Sequence, residues 1–279
     1  MKKYVLLIVL FLIAGVYSYF GIENGEKEKP TNIFRIGVEC DYVPNSWEER
    51  KPSGFNYPIA NHEGFYADGY DIQIAKIVAD KLGLVLVVKK IDWNDLLPAL
   101  MSGGIDAIFS SMLDTEERKK SASFSVPYEV RKAEYAVIVS NTGAYINAAS
   151  LADFSGAKIL GEKGTKLDEV IDQIPGVIHL QPSPTIKGMI EFVLDGRADG
   201  AVIDTDTGHF YEITNPTLEL VKFPEGKGFE LGFSGVCAGV RKNDMALLRR
   251  INEAVSGIMN SERQKIMDSV NSRMMTNLK

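Results

Sequence analysis

A stretch of this chain occurs twice. Gly103-Gly104-Ile105-Asp106-Ala107-Ile108-Phe109-Ser110-Ser111 aligns without gaps on Gly196-Arg197-Ala198-Asp199-Gly200-Ala201-Val202-Ile203-Asp204, and each copy follows an apolar helical run, residues 96–101 and 189–194. Ile105, Ala107, Ile108 and Phe109 are too few and too dense for an amphipathic helix, so they read as a central strand of a parallel sheet. A helix–strand unit present in two copies predicts two similar α/β lobes. Each lobe then carries a polar group at its strand end: Ser110 and Ser111 in the first, Asp204 in the second. In open α/β sheets that edge, at the carboxyl ends of the strands, is where ligands bind.

The residues after the first copy start a new helix. Asp114 or Thr115 is a good N-cap, and Glu116 and Glu117 suit the first turn, where negative charge complements the helix dipole. Arg118 does not suit that turn unless it has an anionic partner. The partner is either Glu116 or Glu117, or a ligand carboxylate held by a two-pronged, charge-assisted hydrogen bond worth ~1.5–3 kcal/mol. If the two lobes face each other, Arg118 and Asp204 offer a cation and an anion across one cleft. That is the charge complement of an α-amino acid zwitterion.

The chain is long enough, at 279 residues, for two domains of ordinary size. Its net charge of −6, with no basic stripe or aromatic–basic interleaving, excludes nucleic acid as the expected partner. His62, His179 and His209 lie far apart without metal-ligand spacing, so neither a metal nor a cofactor is expected. No HExxH, CxxC or catalytic-triad signature is present, and the fragment GEKGTK lacks the spacing of a phosphate-binding loop.

Lys2 and Lys3 precede an apolar run over residues 4–19, and Val16-Tyr17-Ser18 offers a small-x-small cleavage site. Export is the expected outcome, with the segment either cleaved as a signal peptide or kept as an anchor and sole membrane contact. Residues 21–31 form a polar tether. Cys40 and Cys237 sit in apolar strand-like runs, where they either pair or stay buried as free thiols.

Residues 33–40 read as a first strand, with Glu39, Asp41 and Tyr42 at its end. Residues 46–68, rich in Gly, Pro and aromatics, read as a long surface loop. It is either a flap using Trp47, Phe55, Tyr57 or Tyr66, or an insertion without ligand contact. An amphipathic helix over 71–82 stops at Gly83, a strand follows over 84–89, and Trp93 opens the next helix at the ligand edge. Residues 134–140 and 229–240 read as two extended crossings between the lobes, which would make a hinge. Between them lie strands over 158–160, 177–180, 201–204 and 218–223, and helices over 167–173 and 185–194. Two helices, over 246–258 and 262–274, close the chain on the first lobe.

The spaced motifs along residues 32–273 resemble those of the extracellular solute-binding proteins of family 3, the amino-acid receptors of bacterial ABC importers. They are Asp41-Tyr42-Val43-Pro44, Gly69-Tyr70-Asp71, Trp93 with Leu97-Pro98-Ala99-Leu100, Ser102-Gly103-Gly104-Ile105-Asp106, Thr115-Glu116-Glu117-Arg118, Phe124-Ser125-Val126-Pro127-Tyr128, Gly164-Thr165 and Val240-Arg241-Lys242-Asn243-Asp244.

The resemblance implies a two-lobed α/β fold of the periplasmic-binding-protein type II class. Two hinge strands join the lobes, and the ligand lies in the cleft between them. Lobe 1 would take residues 32–134 and 236–279, and lobe 2 residues 135–235, after an N-terminal segment of residues 1–31. By resemblance, Arg118 holds the ligand α-carboxylate with the backbone of Thr165 assisting. Asp204 takes the α-ammonium with Ser111, Tyr42 and Trp93 sandwich the side chain, and Glu39 contacts its tip. Leu113 stands where the family usually has serine or threonine. Its backbone N–H can still donate; either the missing hydroxyl costs about 1 kcal/mol or the ligand sits differently.

The expected function is an extracytoplasmic, monomeric receptor that closes on a free amino acid, polar or cationic by the Glu39 hint, and delivers it to a permease. No catalysis is required. Two other readings use the same fold: a dehydratase acting on prephenate or arogenate, with Asp204 or Glu39 drafted as acid or base, and an amino-acid sensor without transport.

Overall fold

Alternating apolar residues in the strands sort into two layers on either side of each of two sheets. In a computed structural model that describes residues 32–131, 134–231 and 234–277, the order begins β1 (Ile33–Val38), β2 (Asp41–Tyr42), β3 (Ser46–Glu49), β4 (Tyr57–Pro58), β5 (Tyr66–Asp68) and helix α1 (Tyr70–Leu82). It continues β6 (Val85–Lys90), α2 (Trp93–Met101), β7 (Ala107–Ile108), α3 (Glu116–Lys119), β8 (Ala122–Phe124), β9 (Glu129–Arg131), β10 (Tyr135–Ser140), β11 (Lys158–Leu160), α4 (Lys166–Glu169) and β12 (Ile178–His179). The rest is α5 (Ile186–Leu194), β13 (Gly200–Asp204), α6 (Thr205–Thr214), β14 (Leu218–Val221), β15 (Ser234–Val236), β16 (Gly239–Arg241), α7 (Met245–Ser256) and α8 (Asn260–Asn277). The predicted export segment and tether lie outside the described residues.

The first sheet has the order β6-β1-β7-β16-β8 and the second β12-β11-β13-β10-β14. In the second, Ala136, Ile138, Ala201 and Ile203 face one apolar layer while Val137, Val139, Val202 and Ile159 face the other. This is the period-two sorting of a strand buried on both sides. The first sheet sorts likewise, with Phe34, Ile36 and Val38 against α1, and Ile105 and Ile108 against Leu96 and Leu100 of α2.

The expected central strand of a parallel sheet is central, but it is parallel on one side and antiparallel on the other. β7 runs parallel to β1, with Ile36 opposite Ala107, but antiparallel to β16, with Gly239 opposite Ile108. The cause is topological: β16 enters the sheet after the chain has crossed to the second sheet and returned. Residues 134–140 are likewise not a crossing. They become β10, paired antiparallel to both β13 and β14 in the second sheet. The strand ladder between the two sheets is the short antiparallel pair β9–β15, with Gly235 opposite Val130.

Two further elements differ from expectation. Residues 46–68 are not an irregular loop: β3, β4 and β5 join β2 in a small sheet of order β2-β3-β5-β4. Its strands are two to four residues long, too short for their alternation to show through the intervening Gly and Pro. Helix α6 also had no apolar periodicity to announce it, and starts on an Asp204 cap whose side chain accepts from Asp206 N at 3.1 Å.

The repeat is structural as well as sequential. Asp106 N donates to Arg35 O at 2.7 Å, and Arg35 N donates back to Asp106 Oδ2 at 2.9 Å. In the second copy Asp199 N donates to Lys158 O at 2.9 Å, and Lys158 N donates back to Asp199 Oδ2 at 2.8 Å. In both lobes the aspartate therefore locks the strand of its unit onto the neighbouring parallel strand. At the other end of the chain, α7 packs on α1, which Gly83 terminates in the left-handed region as expected. Cys40 and Cys237 are both buried free thiols.

Candidate functional site

The carboxyl ends of β1, β7, β11 and β13 open on one cleft. Glu39, Tyr42, Trp93, Ser111, Leu113 and Arg118 line it from the first sheet's side, and Thr165 and Asp204 from the second's. The eight residues given a ligand-binding role by resemblance thus line one place.

Ser111 adopts φ of +50°, a left-handed conformation uncommon outside glycine. Three hydrogen bonds hold it there. Its Oγ donates to Asp71 Oδ2 at 3.0 Å, its N–H donates to the Tyr128 hydroxyl at 3.3 Å, and that hydroxyl donates to Asp71 Oδ1 at 2.6 Å. The neighbouring Ser110, which also lines the cleft, accepts from Glu39 N at 3.1 Å.

Arg118 follows its N-cap Thr115, whose Oγ1 accepts from Arg118 N at 3.3 Å. Its guanidinium reaches away from Glu116 and Glu117. Nη1 donates to Leu113 O at 3.0 Å and Nη2 to Gly164 O at 2.9 Å, with the Trp93 ring 5.0 Å from the guanidinium carbon. Burial lowers the Arg118 pKa from its ordinary value, yet arginine starts so high that the charge persists. Trp93 Nε1 donates to the same Gly164 carbonyl at 3.2 Å. Gly164 sits at φ of +73°, which glycine adopts without strain.

Thr165 caps α4, its Oγ1 accepting from Leu167 N at 3.2 Å, while its own N–H donates to Glu162 O at 3.3 Å. Leu113 sits opposite Val236 in an isolated antiparallel bridge whose hydrogen bond runs from Cys237 N to Met112 O. Leu113 thus occupies a non-hydrogen-bonded position of that bridge. The rim carries further contacts between the segment after β1 and the second sheet's helices. Asp41 Oδ2 accepts from Lys187 N at 3.1 Å, Asp41 Oδ1 from the Tyr211 hydroxyl at 3.3 Å, and Val43 O from Thr207 Oγ1 at 2.6 Å. Trp47, Phe55, Tyr57 and Tyr66 do not line the cleft, so the insertion sheet is no aromatic flap over it in this structure.

Sequence reasoning missed Glu162, Tyr135, Lys166, Leu167 and Val236, which also line the cleft. Glu162 had a usable signal: it lies just past β11, as Glu39 lies just past β1. The two carboxyl groups are buried, 4% and 3% exposed, and hydrogen-bonded to one another. Burial pushes Glu39 up to about 7, and burial together with Glu39 pushes Glu162 well above the usual carboxylate range.

The model of the bacterial extracellular solute-binding proteins, family 3, matches residues 55–270. The arginine-binding extracellular protein ArtP of Bacillus subtilis is 27% identical over 269 residues, covering 95% of this chain and 96% of its own. The ABC transporter arginine-binding protein 1 of Escherichia coli is 30% identical over 266 residues, covering 93% and 97%. Among solved structures, the substrate-binding protein of an amino acid ABC transporter superposes with a TM-score of 0.70 at 26% identity, over 85% of this chain and 98% of that one.

Proposed function

The chain belongs to the bacterial extracellular solute-binding proteins of family 3, and from that premise we propose that its cleft clamps a free α-amino acid at both charged ends. It is a binding protein of the ABC-importer type rather than an enzyme, and it works outside the cytoplasm. Arg118 takes the α-carboxylate. Asp204 takes the α-ammonium with Ser111, whose hydroxyl donates its hydrogen bond to Asp71 and is left to accept. Tyr42 and Trp93 flank the side chain, Leu113 and Thr165 border the α-carbon, and Glu39 meets the tip.

One observation carries this reading: Arg118 and Asp204, opposite in charge and from different sheets, line the same cleft. Arginine is the ligand we favour, because the two relatives compared are arginine-binding proteins by name and Glu39 offers an anion to a cationic side chain. In this reading lobe 1 is residues 32–134 with 236–279 and lobe 2 is residues 135–235, hinged at β9–β15. Residues 1–31 export or anchor the chain, and a monomer presents the closed form to a permease.

A thermal-shift screen of residues 26–279 against the common amino acids tests the proposal, since a ligand bound only by the folded state raises the melting temperature. A shift with arginine supports it. No shift with any amino acid rejects it.

A further inference from the structure

The pair Glu39–Glu162 has no part in holding a zwitterion. It spans the cleft, with Glu39 at the end of β1 in the first sheet and Glu162 beyond β11 in the second. Both residues are buried, and one oxygen of each, Oε1, is buried without a hydrogen-bond partner. Among the described residues neither carboxyl joins a salt bridge. Lys90, the cation that faces Glu39, is itself bonded to Glu48 Oε1 at 2.9 Å. The other charged groups facing the two carboxyls are anionic, and Lys187, a further cation, faces Asp41 rather than the pair. Asp41 and Asp92 face Glu39, Asp41 faces Glu162, and the Tyr211 hydroxyl stands over Asp41 with Lys187 beyond it.

Two carboxyl groups in hydrogen-bond contact, each burying an unpartnered oxygen, can share a proton between them but cannot both stay ionised without a cation. We propose that Glu39 and Glu162 together receive the cationic end of the ligand side chain, and that the proton they share leaves for solvent as the cation arrives. This rests on the amino-acid-receptor reading and adds Glu162 as the residue that sets its specificity. The exchange balances: one carboxyl O–H bond breaks, the proton goes to buffer, and two carboxylates face one guanidinium or ammonium. An uncharged side chain triggers no such release, because closure around it needs the shared proton to stay. Charge discrimination therefore comes from bringing the two lobes' carboxyls together.

The test is calorimetric titration of the folded chain with arginine and with its uncharged isostere citrulline, from pH 5.5 to 8.5, in buffers of different ionisation enthalpy. Arginine is expected to bind with proton release and to tighten as pH rises, by up to about tenfold per pH unit below the titration of the pair. Citrulline is expected to bind more weakly without that gain. Glu162→Gln keeps the shape and a hydrogen bond but loses the charge. It should weaken arginine about tenfold or more, abolish the buffer-dependent heat and narrow the preference over citrulline. Arginine binding that is flat in pH and independent of buffer overturns the proposal even if Glu162→Gln fails to fold. So does a folded Glu162→Gln that binds arginine within twofold of the parent. If only amino acids without a cationic side chain bind, the carboxyl pairing falls while the receptor stands; if none binds, both fall.

Discussion

Ser111 Oγ donates to Asp71 Oδ2 at 3.0 Å, which ties the strand-end serine of the cleft to the first turn of α1. The carboxylate also accepts from the Tyr128 hydroxyl and is itself wholly buried. Asp71→Ala leaves the buried Tyr128 hydroxyl and the half-buried Ser111 hydroxyl short of a partner and frees Ser111 from its strained backbone. We expect a loss of stability of about 2–4 kcal/mol and weaker amino-acid binding, measured by denaturant unfolding and calorimetry. Ser111→Ala, which keeps the Tyr128–Asp71 bond, should retain most of the stability and lose binding.

Trp93 and Arg118 share the Gly164 carbonyl, so the ring has two separable roles. Trp93→Phe removes the indole N–H but keeps a face for the guanidinium and the ligand. It should cost about 1 kcal/mol of binding, against about 1–3 kcal/mol for Trp93→Ala. Equal losses in the two variants would mean that the hydrogen bond, not the aromatic face, matters.

Asp204 combines a cap and a charge. Its side chain accepts from Asp206 N at the start of α6, so Asp204→Ala loses about 1 kcal/mol of stability along with the ligand site. Asp204→Asn keeps a capping oxygen. In that variant the melting temperature should stay near the parent's while binding is lost, as it should be in Arg118→Ala. Binding within a few-fold of the parent rejects the two-ended clamp.

The two aspartates of the repeat differ in how much each holds. Asp199 accepts from Lys158 N, whereas Asp106 accepts from Arg35 N and also from the Arg35 guanidinium, at 2.9 and 2.7 Å. Asp106→Ala should therefore cost about 2–3 kcal/mol and Asp199→Ala about 1 kcal/mol. Burial raises the Asp106 pKa, but its bonds to Arg35 outweigh that, so the net shift is downward. A carboxylate depressed in the folded state contributes stability above its unfolded pKa, near 3.9, and loses it as pH falls through the lower folded value. The stability gap between parent and Asp106→Ala should accordingly be full above about pH 4 and close in stronger acid.

That repeat is also where sequence and structure agree in detail. Ser111 and Asp204 were aligned by their neighbours alone, and both end up lining one cleft from opposite sheets. The aligned aspartates make equivalent backbone bonds. What escaped did so for local reasons. Residues 205–214, TDTGHFYEIT, carry no apolar stripe, so α6 was invisible although its cap had been singled out as a ligand contact. Glu162 lies in GEKGTK, a fragment read for its phosphate-loop spacing and for Gly164-Thr165, not for its carboxylate. Its role depends on Glu39, more than a hundred residues away in sequence, which no local pattern can display.

The insertion sheet β2-β3-β5-β4 is held from its far side by the last helix. Arg273 Nε and Nη2 donate to Asp68 Oδ2 and Oδ1 at 2.7 and 2.8 Å, Nη1 donates to Ser269 Oγ at 2.7 Å, and the guanidinium carbon lies 4.3 Å from the centre of the Phe55 ring. Asp68 is only 1% exposed, so removing its cation strands a buried carboxylate. Arg273→Ala should cost about 3–5 kcal/mol, and Arg273→Lys, a point charge in place of a fork, somewhat less. Because the aromatic residues of the insertion stay out of the cleft, arginine affinity at a temperature where the variant is folded should match the parent's. If affinity falls with stability, the insertion communicates with the cleft through Tyr42 on β2, which pairs with Ser46 on β3. Unchanged affinity at reduced melting temperature makes the Asp68–Arg273 contact a clasp between the insertion sheet and the C-terminal helix, independent of ligand.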